Sequence, residues 1–220
     1  MGSITRSLAN NITTSGVILP AGITNASVSA VTSFANASGG TLTLLSTQTA
    51  SASATISFTT GLDSTYDEYI FKFINIRPAT DDTPFKFNMS TDGGSNYNVT
   101  KTTTIFQAYH NEADTTTGLA YETGEDLAQS TAFAFITAGG VGNGADESCS
   151  GSLTLFNPSS TTYVKHFIAV SNVYYSTDYS SNNFSAGYGN TTSAINAVRF
   201  QMSSGNIADG VFKLYGVKKS

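Results

Sequence analysis

The chain has 220 residues and a formal net charge of −5, and only 11% of it is Asp, Glu, Lys or Arg, under half of the roughly 25% typical of soluble domains. Ser and Thr supply the missing polarity, with 29 Ser and 32 Thr beside 17 Asn and 20 Gly. Ten scattered cations against 15 acids argue against nucleic-acid binding, the single Cys149 excludes an intrachain disulfide, and His110 and His166 alone cannot build a three-histidine zinc site.

Residues 1–40 carry one charge, Arg6, and read as a docking arm rather than a domain. Their apolar residues Ile4, Leu8, Ile12, Val17, Ile18 and Leu19 are too few to close a core, and with Arg6 they are the candidate docking residues. Ile4, Leu8 and Ile12 share a helical spacing, but the Thr, Asn and Ser around them are poor helix formers. The stretch after Arg6 is too polar for a secretory signal, so cytoplasmic synthesis without secretion is expected. No run approaches the roughly 18 apolar residues that span a bilayer, so no membrane insertion is expected. Asn36–Gly40 reads as a linker into a second unit, residues 41–220.

That unit reads as a succession of short strands. Residues 41–48 and 54–60 are rich in β-branched side chains, and 69–76 is apolar on nearly both faces, as a central sandwich strand would be. Phe85, Phe87 and Met89 alternate with Lys86, Asn88 and Ser90, which predicts one buried face. Asp92–Asn96 is a turn expected to close a hairpin onto a strand over 97–109. Further strands are predicted over 132–137, 151–156, 163–175, 184–188, 194–202 and 211–217, with Ser176–Asn183 as a loop. No window carries a sustained helical stripe. The expected fold is all-β, an antiparallel, jelly-roll-like β-sandwich with an N-terminal arm.

Chemistry is sparse. No Gly-x-Ser-x-Gly elbow occurs, and His110 beside Glu112 and Asp114 reads as a hydrated loop side chain. His166, within a strand, reads as partly buried. Glu122, Glu125 and Asp126 form the tightest acidic group, but no Asp-x-Asp-x-Asp-Gly loop is present, and a solvated acidic rim is expected rather than calcium. The Gly139–Glu147 loop carries two acids and no following helix, which opposes a dinucleotide reading. No catalytic residue, metal ligand or cofactor is assigned. Tyr174, Tyr175, Tyr179 and Tyr188 bracket a Ser/Asn-rich segment, a composition suited to stacking on sugars and hydrogen-bonding their hydroxyls, and equally to a subunit interface.

Three segments carry a family resemblance: Ile4-Thr-Arg-Ser-Leu-Ala-Asn-Asn-Ile-Thr-Thr, the stretch from Asp63 through Tyr69-Ile-Phe-Lys-Phe-Ile-Asn-Ile76 to Asp82, and Val211-Phe-Lys-Leu-Tyr-Gly-Val217. Together they resemble virion surface proteins of tailed bacteriophages, marine phages in particular, with β-sandwich modules of tail-fibre or head-decoration type. The resemblance implies a non-enzymatic structural role, usually as a homotrimer, with the N-terminal segment attached to other virion proteins of capsid or tail. Its alternative implication is a receptor- or carbohydrate-binding module that contacts host surface glycans.

Overall fold

The computed structural model describes residues 41–218 in full and, before them, the backbone of residues 12–13 and 16–17. The chain divides into two compact units, Met1–Gly39 and Gly40–Ser220. In the first, β1 (Ile12–Thr13) pairs antiparallel with β2 (Gly16–Val17), placing Ile12 opposite Val17. The side chains of Ile12 and Val17, and the whole of Ile4, Arg6, Leu8, Ile18 and Leu19, lie outside the described residues.

The second unit is a β-sandwich of two antiparallel sheets. Its large sheet contains β3 (Leu42–Ser53), β5 (Glu68–Pro78), β7 (Lys101–Asn111), β8 (Thr117–Tyr121), β10 (Cys149–Phe156), β11 (Lys165–Tyr175), β12 (Tyr179–Gly189) and β14 (Ile207–Val217). They lie in the order β3-β14-β5-β10-β11-β12-β7-β8. The small sheet contains β4 (Ile56–Phe58), β6 (Phe85–Ser90), β9 (Ala134–Phe135) and β13 (Ala197–Met202), in the order β4-β13-β6-β9.

The core follows from alternation. Side chains at every second strand position share a face, and Tyr69, Phe71 and Phe73 of β5 all point inward and are buried. Phe200 sits at the centre of the aromatic cluster, its ring 5.4 Å from Phe71, 5.5 Å from Phe212 and stacked 5.8 Å from Phe85. Each such buried ring contributes roughly 1.5–3 kcal/mol of burial, and edge-to-face or stacked pairs add about 0.5–1.5. A bulge opposite Cys149–Gly151 leaves both Ile74 and Asn75 outside before Ile76 returns to the core. Asn75 takes the left-handed φ of 51° that this extra residue requires, a conformation Asn tolerates better than most residues.

Four expectations are corrected. Strand β5 is buried on one face only, because the small sheet covers only one side of the large one; Lys72 and Ile74 are exposed. The Asp92 turn does not close a hairpin: β6 belongs to the small sheet and β7 to the large one, so residues 91–100 cross between layers. Asp92 holds that crossing by accepting from Ser90 Oγ at 2.6 Å and from the Asn96 backbone N–H at 2.9 Å, contacts that lower its carboxyl to a pKa of about 2. Ser176–Asn183 is not a loop, since Tyr175 pairs with Tyr179 and only Ser176–Asp178 turns, with Asp178 left-handed at φ 60°. His166 is exposed, because it stands on the outward parity of β11 between buried Lys165 and Phe167.

Candidate functional site

The large sheet leaves one broad face outside the core, and strand parity decides what stands on it. In β11 the alternation is unbroken, with Phe167, Ala169, Ser171 and Val173 inside and His166, Ile168, Val170 and Asn172 outside. Cross-strand register then aligns Val170, Phe184, Phe106 and Tyr121 in one row across β11, β12, β7 and β8. Phe106 and Phe184 stack with centroids 5.0 Å apart and planes 9° apart. Leu119 on the edge strand β8 is 75% exposed and Ile168 is 49% exposed. Beside them lies a shallow groove of about 480 Å³, lined by Phe156, His166, Ile168, Ala186, Tyr188 and Thr102 among others.

Strands β12 and β7 invert the usual distribution. Ser181, Asn183 and Ser185 of β12, and Lys101 and Thr103 of β7, are buried, while Phe106 is 40% exposed and Phe184 half-buried on the outside. Several inner polar groups are matched by the backbone of residues 127–138, Ser181 by the Gln107 side chain, and Lys101 by Asn88 of the small sheet. Asn183 Oδ1 accepts from the Ala138 N–H at 2.9 Å, Ser171 donates to the Ile136 carbonyl at 3.1 Å, and Thr103 Oγ1 accepts from the Leu127 N–H at 2.9 Å. Burial of Asn183, Ser171 and Thr103 is tolerated because they are hydrogen-bonded, whereas the buried Ser185 hydroxyl has no hydrogen-bond partner. Every outward position of β10, β11, β12, β7 and β8 is free of Asp, Glu, Lys and Arg.

Parity also separates the four predicted tyrosines. Tyr174 and Tyr175 are neighbours on β11 and therefore point to opposite faces. Tyr174 stands outside with His110, Asn111, Glu112, Asn172 and Ser180 around a cleft of about 340 Å³. Its hydroxyl donates to Asp178 at 3.2 Å, and desolvation together with that carboxylate pushes its pKa up to about 12. Tyr188 lies on the outer groove near His166, with ring centroids 6.3 Å apart. Tyr175 and Tyr179 alone share a cleft, of about 410 Å³, on the opposite face of the sheet.

That cleft brings in residues that sequence reasoning missed: Gln107, Tyr109, Asp82, Thr116 and Thr177. The rings of Tyr109 and Tyr179 meet edge to face at 6.1 Å. Tyr175 is fixed from below, its hydroxyl donating to the Ala138 carbonyl and lying 3.0 Å from Gln107 Oε1. Burial pushes the Tyr175 phenol up to about 12, and nearby Glu125 adds to the shift. The cross-strand neighbours of Tyr179 become visible only once β7, β12 and their register are known.

The acidic groups are engaged locally. Glu125 accepts from the Gly139 N–H at 2.9 Å, and burial raises its pKa. Asp126 accepts from the Tyr121 hydroxyl at 2.8 Å, and Asp114 pairs with His110 at 3.1 Å. Among the described residues no three His, Cys, Asp or Glu side chains converge as a metal site would require. Two lysines are buried at one end of the sandwich, both opposite Gly189 in the register. Lys101 donates to Asn88 Oδ1 and to the Val99 carbonyl, each at 2.6 Å, and desolvation lowers its pKa to about 7. Lys165 donates to the Tyr163 carbonyl at 2.6 Å. No family model matches this chain, and neither a curated protein nor a solved structure matches it.

Proposed function

We propose that the chain is a non-enzymatic structural protein of the exterior of a tailed-phage virion, either a capsid-decoration or a short-fibre subunit. It is made in the host cytoplasm, docks on capsid or tail through residues 1–40, and presents the β-sandwich as a homotrimer. One observation carries the reading: the two sandwich segments that bear the resemblance form β5 and β14, hydrogen-bonded neighbours from Val217 opposite Glu68 to Val211 opposite Ile74. Segments far apart in sequence thus belong to one structural unit, as expected if the resemblance reflects a shared module. The test is peptide mass spectrometry of purified particles from infected cells. The chain is expected in the particles and lost from them in a Leu8→Asp/Ile12→Asp variant; its absence from wild-type particles overturns the role.

A second reading, contact with host surface glycans, is favoured by the Tyr109–Tyr179 cleft. Three tyrosine rings, the Asp82 carboxylate and the hydroxyls of Thr116 and Thr177 surround it, the combination of apolar wall and few polar groups that small-molecule sites use. A glycan array probed with wild type and Tyr179→Ala decides this: binding that the variant loses supports it, and no binding by either removes it.

A further inference from the structure

We propose that the outer face of β10, β11, β12, β7 and β8 is the surface through which one copy of this chain binds a second copy. This goes beyond the role proposed above, because it holds or fails in purified protein whether or not the chain belongs to a particle.

Three observations select a second copy as the occupant. First, on β12 and β7 the aromatic side chains Phe184 and Phe106 face outward as a stacked pair. Most of the inward positions on these strands, buried Ser181, Asn183, Ser185 and Thr103 among them, are polar, Ile105 excepted. A sheet whose outer face meets only water shows the reverse pattern, so the outer side chains of these strands are arranged for burial. Second, no outward position on the five strands carries a formal charge. Nucleic acid, anionic membrane and charged protein partners are each recognised by complementary charge, which this surface does not offer. Two identical uncharged surfaces meet without like-charge repulsion, whatever the sign of the net charge of −5.

Third, the size is right. The five strands hold 8, 11, 11, 11 and 5 residues, and at about 3.3 Å per residue and about 4.8 Å between strands the face covers roughly 730 Å². That is close to the roughly 800 Å² each partner contributes to a stable, standard-size interface. The exposed edge residue Leu119 and the groove beside Ile168 give this footprint the relief that a flat sheet would lack. The other half of the same outer face, on β5 and β14, carries Lys72, Arg77 and Lys213 and has no such character.

The experiment is multi-angle light scattering and sedimentation of the full chain over about two decades of concentration. Wild type, Ile168→Glu, Leu119→Lys and Lys72→Glu are compared, with circular dichroism to check each fold. Wild type and Lys72→Glu are expected to be oligomeric, whereas Ile168→Glu and Leu119→Lys shift the midpoint of dissociation upward at least tenfold. Because Leu119 is 75% exposed, its substitution tests the face even if Ile168→Glu fails to fold. High salt is expected to leave wild-type association undiminished, since the contact is uncharged. A wild-type chain that stays monomeric throughout overturns both this surface and the homotrimer. An oligomer that persists unchanged in Leu119→Lys and in folded Ile168→Glu overturns this surface alone.

Discussion

The outer face of the large sheet divides into two halves with different chemistry. On β5 and β14, charged side chains alternate with apolar ones: Lys72 lies 5.8 Å from the Tyr215 ring centroid, and Arg77 pairs with Asp209 through contacts of 2.5 and 3.0 Å. From β10 to β8 the outward positions are Ser, Thr, Asn, Ala, His and exposed apolar residues, with no formal charge. The same layer of backbone therefore presents one surface suited to water and one suited to a neighbour. Beneath the first half lies the aromatic core around Phe200; beneath β12 and β7 of the second lie hydrogen-bonded Asn183, Thr103 and Ser181. Apolar area is displaced from the inside to the outside on passing from β5 to β12.

The sharpest way to break this comparison is to cut the core on each side. Phe200→Ala removes the ring that contacts Phe71, Phe85 and Phe212 and is expected to destabilise the fold by about 3–5 kcal/mol in denaturant unfolding. Phe106→Ala, on the outer face, is expected to cost the isolated chain only about 1 kcal/mol, because its ring is already half in water and loses mainly the stack on Phe184. Equal losses would remove the distinction between a folding surface and an assembly surface.

The buried lysine at the polar end gives the next effect. The Lys101 amine titrates near 7 in the folded chain, through desolvation, against about 10.4 when unfolded. Between those values the unfolded chain binds the extra proton, so stability rises with pH from about 7 toward about 10.4. Below 7 the ammonium is present in both states and the full cost of its burial is felt. Lys101→Met is expected to flatten this rise and to stabilise the chain at pH 6, on the order of 2–4 kcal/mol, in unfolding measured across pH. A wild-type profile that falls between pH 7 and 9 contradicts the assignment. The smallest effect is expected at the half-buried ion pair: Arg77→Leu changes stability by about 1 kcal/mol, and less in high salt.

The fold was legible where alternation was strong. Residues 85–90 and 211–217 read as strands because Phe85, Phe87, Phe212 and Leu214 recur at every second position, and all four are buried. Strand β8 leaves little signal in the sequence because Thr117-Gly-Leu-Ala-Tyr121 is short and lies at an edge, where pairing with β7 rather than burial makes it a strand. The first half of β12 reads as loop in the sequence because Tyr179–Asn183 is rich in Ser and Asn; those residues are strand because Asn111 to Gln107 pair with them residue by residue. The same polar interior hid the outer face. With Ser and Asn inside and Phe outside, parity cannot be assigned until tertiary structure shows which side holds the second layer. Low overall charge pointed to an assembly surface but located it in the arm; the described residues place an uncharged surface on the sandwich as well.

The central claim is that the uncharged half, and not the charged half, lies against another copy. Cys149 is the chain's only cysteine and is buried, with burial raising its thiol pKa far above the usual range, so a cysteine introduced on the surface is the reactive thiol. The most direct measurement is the rate of thiol labelling in Thr104→Cys, on β7, and Thr47→Cys, on β3, at high and at low protein concentration. Both positions are exposed in the single chain. The account predicts that Thr104→Cys is protected at high concentration and becomes reactive on dilution, while Thr47→Cys reacts equally fast at both. Concentration-independent labelling of Thr104→Cys, or protection confined to Thr47→Cys, contradicts it.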